Sequence, residues 1–324
     1  MRNLMKRCML SLLSGMILTS SISAYAVSAF SGDKVATVIV SDSSNHRMQR
    51  FTSRGNFLTK WGTLGTGNGQ LNSPGGIGVD SRGDIYVADD YNNRIQKFSC
   101  RGDYLDQWGT KGSDNSQFEL PYSVTVDADN DVYVVDTFNS RIQKFTNRGK
   151  YIRKWGSAGS GKGQFNEPGA ITTNRHNDVY VADSANHRIQ KFSEDGKYLL
   201  EWGSKGTEPG QFKTPMGIAA DKDNDVYVVD YENHRVQKFT KNGRFILQWG
   251  SEGHGDGQFY LPGDISVSPE NNHVYVADTG NNRIQEFTDC GKFIRSWGST
   301  GTGNGQFDTP WGIKAAMVPR NCRL

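Results

Sequence analysis

Cysteine is scarce in this chain of 324 residues: there are four, Cys8, Cys100, Cys290 and Cys322, and no two form a Cys-x-x-Cys pair. A thiolate zinc site is therefore not suggested. There is no Gly-x-Ser-x-Gly elbow and no phosphate loop with Gly-Lys-Ser/Thr. The usual signatures of a serine hydrolase or a P-loop nucleotide enzyme are missing with them. Past the N-terminus, no run is apolar enough to span a bilayer. An excess of one charge is also lacking. Of 37 Lys+Arg, three (Arg2, Lys6 and Arg7) open the chain, and the other 34 match the 34 Asp+Glu. A nucleic-acid footprint needs clustered positive charge, so no nucleic-acid partner is expected.

Residues 1–26 read as a secretory signal. A basic start precedes a short apolar stretch from Cys8 to Leu18, and Ala24-Tyr25-Ala26 is a small-x-small cleavage site. The stretch is short for a bilayer span, so stable membrane insertion is not expected. The pattern fits cleavage, and it also fits retention as an anchor. Either way it implies a secreted or periplasmic protein. Residues 27–34 then form a short linker. Three cysteines remain after cleavage, which in an oxidising compartment allows one internal disulfide and leaves a free thiol.

Repetition is what the chain has in abundance. The tryptophan of a Trp-Gly pair stands at Trp61, Trp108, Trp155, Trp202, Trp249 and Trp297, in steps of 47 residues and a last step of 48. Asp42, Asp89, Asp136, Asp183, Asp230 and Asp278 keep the same interval. Each unit is then one supersecondary block stacked on its neighbours. Residues 74–109 show what a block contains. Pro74 to Asp80, Asp84 to Asp89, Arg94 to Phe98 and Asp103 to Trp108 read as four short strands joined by turns. Ile85-Tyr86-Val87-Ala88 is apolar on both faces, so both faces must be covered. A closed ring of such sheets covers them and leaves only short, protected edges.

The ends of the chain support closure. The first unit lacks its opening strand and begins at Ala36-Thr37-Val38-Ile39-Val40-Ser41-Asp42. The last is followed by Thr309-Pro310-Trp311-Gly312-Ile313-Lys314-Ala315-Ala316, which matches an opening strand. One C-terminal strand joining three N-terminal strands would complete a composite sheet over 35–318 and leave 319–324 as a tail. Such closure sets Cys290 and Cys322 near the seam and favours their pairing.

The pattern Tyr180-Val181-Ala182-Asp183-Ser184-Ala185-Asn186-His187-Arg188-Ile189-Gln190-Lys191-Phe192, followed by a strand ending in Trp-Gly, resembles the NHL-repeat family. The resemblance covers about residues 36–316. It implies an all-β fold, a six-bladed β-propeller of four-stranded antiparallel blades. It says little about function, because propellers host unrelated activities. Members of the family include RNA-binding domains, extracellular sensor domains and the lyase that completes peptide amidation. In that lyase, zinc-binding histidines follow the proline that opens the first strand. The matching positions here are Gly75, Tyr122, Gly169, Met216, Gly263 and Trp311, none of them histidine. That chemistry is not expected; nor is any cofactor, metal or catalytic residue.

Polar residues present in every unit read as scaffold. Asp89, Asn92 and Arg94 recur six times over, and a ligand rarely needs six identical contacts. His46, His187 and His234 alternate with Asn93, Ser140 and Asn282, which suits loop hydrogen bonding better than zinc. The acidic runs Asp127 to Asp131 and Asp221 to Asp225 read as hairpin turns rather than calcium loops. The repeated tryptophans read as packing between blades.

Function should therefore lie where the units differ. The loops entering the first strand and those joining the second and third share one face. The departures there are Tyr122, Met216 and Trp311 after the proline, and Tyr91, Phe138 and Tyr231 in the Asp-x-x-Asn loops. Asp264 replaces Gly, Ser or Ala, and His254 is alone among the inter-blade connectors. Together they suggest a neutral, aromatic-rich pore mouth that binds a protein, peptide or glycan, on a monomer. The rival readings are a metal-dependent propeller enzyme using Asp264 and His254, and a structural cell-surface interaction protein.

Overall fold

A computed structural model of the chain describes residues 34–322. The segments read as the signal and all but the last residue of the linker lie outside the described residues, as do Arg323 and Leu324. Six four-stranded antiparallel sheets form a ring. Their inner strands are Pro310–Pro319, Pro74–Val79, Pro121–Val126, Pro168–Thr173, Pro215–Ala220 and Ile265–Val267, for blades I to VI. Blade I is composite, because Pro310–Pro319 pairs beside Lys34–Asp42, Arg47–Thr52 and Phe57–Trp61. The inner strands of blades VI and I are in contact, as are those of I and II, so the ring is closed.

Blade II shows why these residues make these strands. Ile85–Asp89 is buried along its whole length and pairs with Arg94–Phe98, from Asp89 opposite Arg94 to Ile85 opposite Phe98. β-branched and aromatic residues suit a strand covered on both faces. Tyr104–Trp108 forms the outer edge and stays partly exposed. A 3-10 turn, Asp90–Asn92, ends in left-handed Asn93 (φ 54°) and joins the second strand to the third on the upper face.

Blades hold together through apolar layers. One layer unites Tyr275, Ala277 and Ile284 of blade VI with Val38, Val40 and Phe51 of blade I. Each fully buried large side chain there contributes roughly 1.5–3 kcal/mol. Every repeated tryptophan meets a turn glycine of the next blade. A Cβ at Gly102 would stand 2.7 Å from Trp61, and one at Gly55 would stand 2.6 Å from Trp297, across the seam.

The polar repeat is structural. Asp89 accepts hydrogen bonds from Asn92, from Arg94 Nε at 2.7 Å and from Gln96 at 2.9 Å. Arg94 in turn donates to the connector carbonyls of Thr66, Gly67 and Gln70. The same arrangement recurs at Asp42, Asp136, Asp183, Asp230 and Asp278. Asp127 Oδ1 accepts from the amides of Asp129 and Asp131, which makes that acidic run a hairpin turn.

The disulfide differs from the expected pairing. Cys322 bonds to Cys100, with Cα atoms 5.6 Å apart, and not to Cys290. Nor is Cys290 a free thiol. After the latch strand the chain leans toward blade II, where Ala316, Val318 and Cys322 pack with Val79 and Cys100. Arg50 Nη1 donates to the carbonyls of both Cys100 and Cys322, and Arg101 holds the carbonyl of Asn321. No helix among the described residues is long and apolar enough to cross a membrane.

Candidate ligand-binding basin

The three residues after the prolines that are not glycine come from alternate blades: Trp311 from I, Tyr122 from III and Met216 from V. Between them stand Gly75, Gly169 and Gly263. The glycines make room. A Cβ at Gly169 would lie 3.3 Å from Met216 Sδ, and one at Gly263 would lie 3.3 Å from the Trp311 ring. Trp311 meets Tyr122 edge-on at 5.4 Å and Tyr231 of blade V at 6.2 Å. These side chains form a floor across the channel mouth.

Above the floor lies a basin of about 720 Å³. Tyr91 and Phe138 stand on its rim, 63% and 57% exposed. Their backbone amides donate to the Asn72 and Glu119 carbonyls of the connectors, which fixes both loops. Below the floor only two small spaces remain among those near the channel, of about 10 Å³ and, farther down, about 20 Å³. Volumes of that size admit single waters, not a substrate.

Five of the eight residues singled out from the sequence, Tyr91, Tyr122, Phe138, Met216 and Trp311, line the basin. Tyr231 reaches it through Trp311. Asp264 lies beneath the floor, where its carboxylate accepts from the Ile313 amide at 3.0 Å. Burial pushes its carboxyl up to about 6. Lys314 shares that channel, and burial lowers its ammonium pKa. His254 does not line the basin; it hydrogen-bonds Asn281 and packs on Tyr260 in the outer connector.

The histidine column has a simple role. His46, His187 and His234 each accept, through Nδ1 at 3.1 Å, the amide of Ser73, Thr214 or Leu261. Asn93 and Asn282 do the same through Oδ1. Each donating residue precedes a proline and has a left-handed backbone, as at Ser73 (φ 54°) and Leu261 (φ 48°). The acceptor holds a conformation that residues before proline avoid.

The mouth is not neutral. Asp90, Glu167 and Glu232 line the basin, and no lysine or arginine does. His187, its one basic side chain, has its pKa lowered by burial and by Lys205. Sequence reasoning passed over Asp90. A signal was present: its column reads Ser43, Asp90, Thr137, Ser184, Tyr231 and Thr279, one acid among hydroxyls.

Comparison with known proteins fits this geometry. The NHL repeat family model matches residues 71–98, 118–145, 165–192, 212–239 and 259–287. The chain is an NHL-repeat β-propeller. The five matches fall in blades II to VI and cover their second and third strands. No curated protein matches the sequence at a significant level. Among solved structures, a streptogramin B lyase is 17% identical, with TM-score 0.60 over 91% of this chain and 90% of that one. A catalytically inactive virginiamycin B lyase from Staphylococcus aureus with quinupristin is 16% identical, with TM-score 0.58 over 92% and 95%. A chain of a nidogen/laminin complex is 14% identical, with TM-score 0.62 over 87% and 98%. At these identities the likeness is one of fold.

Proposed function

We propose that this NHL-repeat protein is an exported, non-catalytic binding module that holds a protein, peptide or glycan in the basin. One observation carries the reading: the repeated polar groups are engaged in scaffold bonds, while the unrepeated aromatic ones converge at the floor and rim of the basin. Aromatic anchors in a concave site are what recognition surfaces use. Export is supported by the N-terminal leader pattern and by the Cys100–Cys322 pairing, since structural disulfides belong to oxidising compartments.

The rival metal-enzyme reading needs Asp264 and His254 to act together. One is under the floor and the other in an outer connector. Among the described residues no three potential metal ligands cluster. A peptide and glycan array probed with the wild-type protein and with Tyr122→Ala tests the proposal. Saturable ligands of the wild type should be lost by a folded Tyr122→Ala protein. Retention of all of them would refute a role for the basin.

A further inference from the structure

In blades I, III, IV and VI the residue after the repeated aspartate is Ser or Thr, and its hydroxyl donates to the opening proline carbonyl of the next blade. The bonds are Ser43 to Pro74 at 2.6 Å, Thr137 to Pro168 at 3.0 Å, Ser184 to Pro215 at 2.6 Å and Thr279 to Pro310 at 2.7 Å. Blade II places Asp90 there. Its ionised form has no proton to donate, and burial disfavours that form unless a positive charge stands beside it. Asp90 is 6% exposed, and its Oδ1 has no hydrogen-bond partner. Burial and the neighbouring Asp89 push its carboxyl well above the ordinary range. The backbone amides of Gly75 and of Asp90 itself offset this only in part. A buried carboxyl oxygen without a partner destabilises a fold, and such a departure from the local rule marks functional sites.

Asp90 is also a wall of the basin, where Tyr91, Tyr122, Phe138 and Trp311 offer aromatic faces. Glu167 and Glu232 add acidic groups at the same cavity. Resting on the basin reading above, we infer that the ligand presents an organic cation, an ammonium or guanidinium group, to Asp90 and the surrounding aromatic rings. A cation supplies what each part of the site lacks. It gives the Asp90 carboxyl a charge-assisted donor, and it is attracted to the faces of Tyr and Trp. A neutral glycan offers hydroxyl donors but no compensating charge, and an acidic peptide adds like charge.

Asp90→Ser is the decisive variant, because serine occupies this column in blades I and IV and makes the bond to the next blade. Calorimetric titration at low salt would compare wild type, Asp90→Ser and Tyr122→Ala. The probes are acetyl-trilysine amide, the same peptide with its side chains acetylated, and choline. The expected result is saturable binding of trilysine peptide or choline by wild type. Asp90→Ser should bind at least tenfold more weakly with an undiminished melting temperature, and the acetylated peptide should not bind. Three results would overturn the inference: equal affinity of Asp90→Ser, equal affinity for the acetylated peptide, or no saturable binding of any cationic probe. Suppose instead that a neutral ligand binds, is lost in Tyr122→Ala and is kept by Asp90→Ser. The basin would then stand as the site, and the cation alone would fall.

Discussion

The ring of Trp311 stands edge-on to that of Tyr122, centroids 5.4 Å apart at 68°, although the two residues lie on blades I and III. Trp311 belongs to the strand that closes the ring, so one side chain both caps the channel and ties the mouth to the seam. Trp311→Ala should unfold at lower denaturant. The cost should be about 2 kcal/mol, below the 3–5 kcal/mol of a fully buried tryptophan because this one is only partly covered. Ligand affinity should fall at least tenfold. Urea titration checks the first effect and calorimetry the second.

Scaffold and site should separate under mutation. Asp183 holds Arg188 Nε at 2.7 Å and also Asn186 and Gln190, all at blade IV. Asp183→Asn takes from a buried guanidinium the nearer of its two carboxylates and leaves Glu201 at 3.0 Å, which costs about 3 kcal/mol, the low end for a broken buried pair. Affinity of the folded fraction for any basin ligand should stay within twofold. A large affinity loss at unchanged stability would show that the repeated aspartate belongs to the site.

The tail disulfide closes a loop between positions 222 apart in sequence. Replacing Cys100 and Cys322 together by serine should cost about 2–5 kcal/mol. Blade I is the blade expected to loosen, because its latch strand ends at that bond. Hydrogen exchange of residues 310–319 should accelerate more than that of blade IV. Equal protection in both would contradict the role of the tail as an anchor.

Asp264 should give stability a pH signature. Its folded carboxyl lies near 6 because of burial, against about 3.9 in an unfolded chain. The folded protein therefore binds this proton more tightly than the unfolded one. The associated stability is present below about pH 4 and is lost as pH rises through about 6. Asp264→Asn cannot ionise and can still accept the Ile313 amide bond. Relative to wild type it should gain stability between pH 4 and 6 and hold that gain above. A difference independent of pH across urea titrations would refute this account.

The fold was legible because its chemistry is repeated. Each Trp-Gly pair, each Asp-x-x-Asn-x-Arg run and the two incomplete ends pointed to one closed ring, and the sheets follow that order. The basin was half legible. Tyr122, Met216 and Trp311 stood out as the large members of a glycine column, and they meet at the floor. His254 stood out by rarity alone, and rarity carries no direction in space. Asp90 was hidden beside the repeated Asp89, and its oddity appears only when the bonds of its column are known. Cys322 was misassigned because proximity to a seam does not say which side of it a tail will follow. Arg50, which gathers the carbonyls of Cys100 and Cys322, decides that.

The central claim is that recognition happens on the floor formed by Tyr122 and Trp311. The most direct measurement is a crystal structure of the protein with whichever array ligand or cationic probe binds most tightly. The account predicts density for the ligand in contact with the rings of Tyr122 and Trp311 and within hydrogen-bond reach of Asp90. Density on the opposite face, beside the hairpin turn of Asp127 to Asp131, with the basin unchanged, would contradict it.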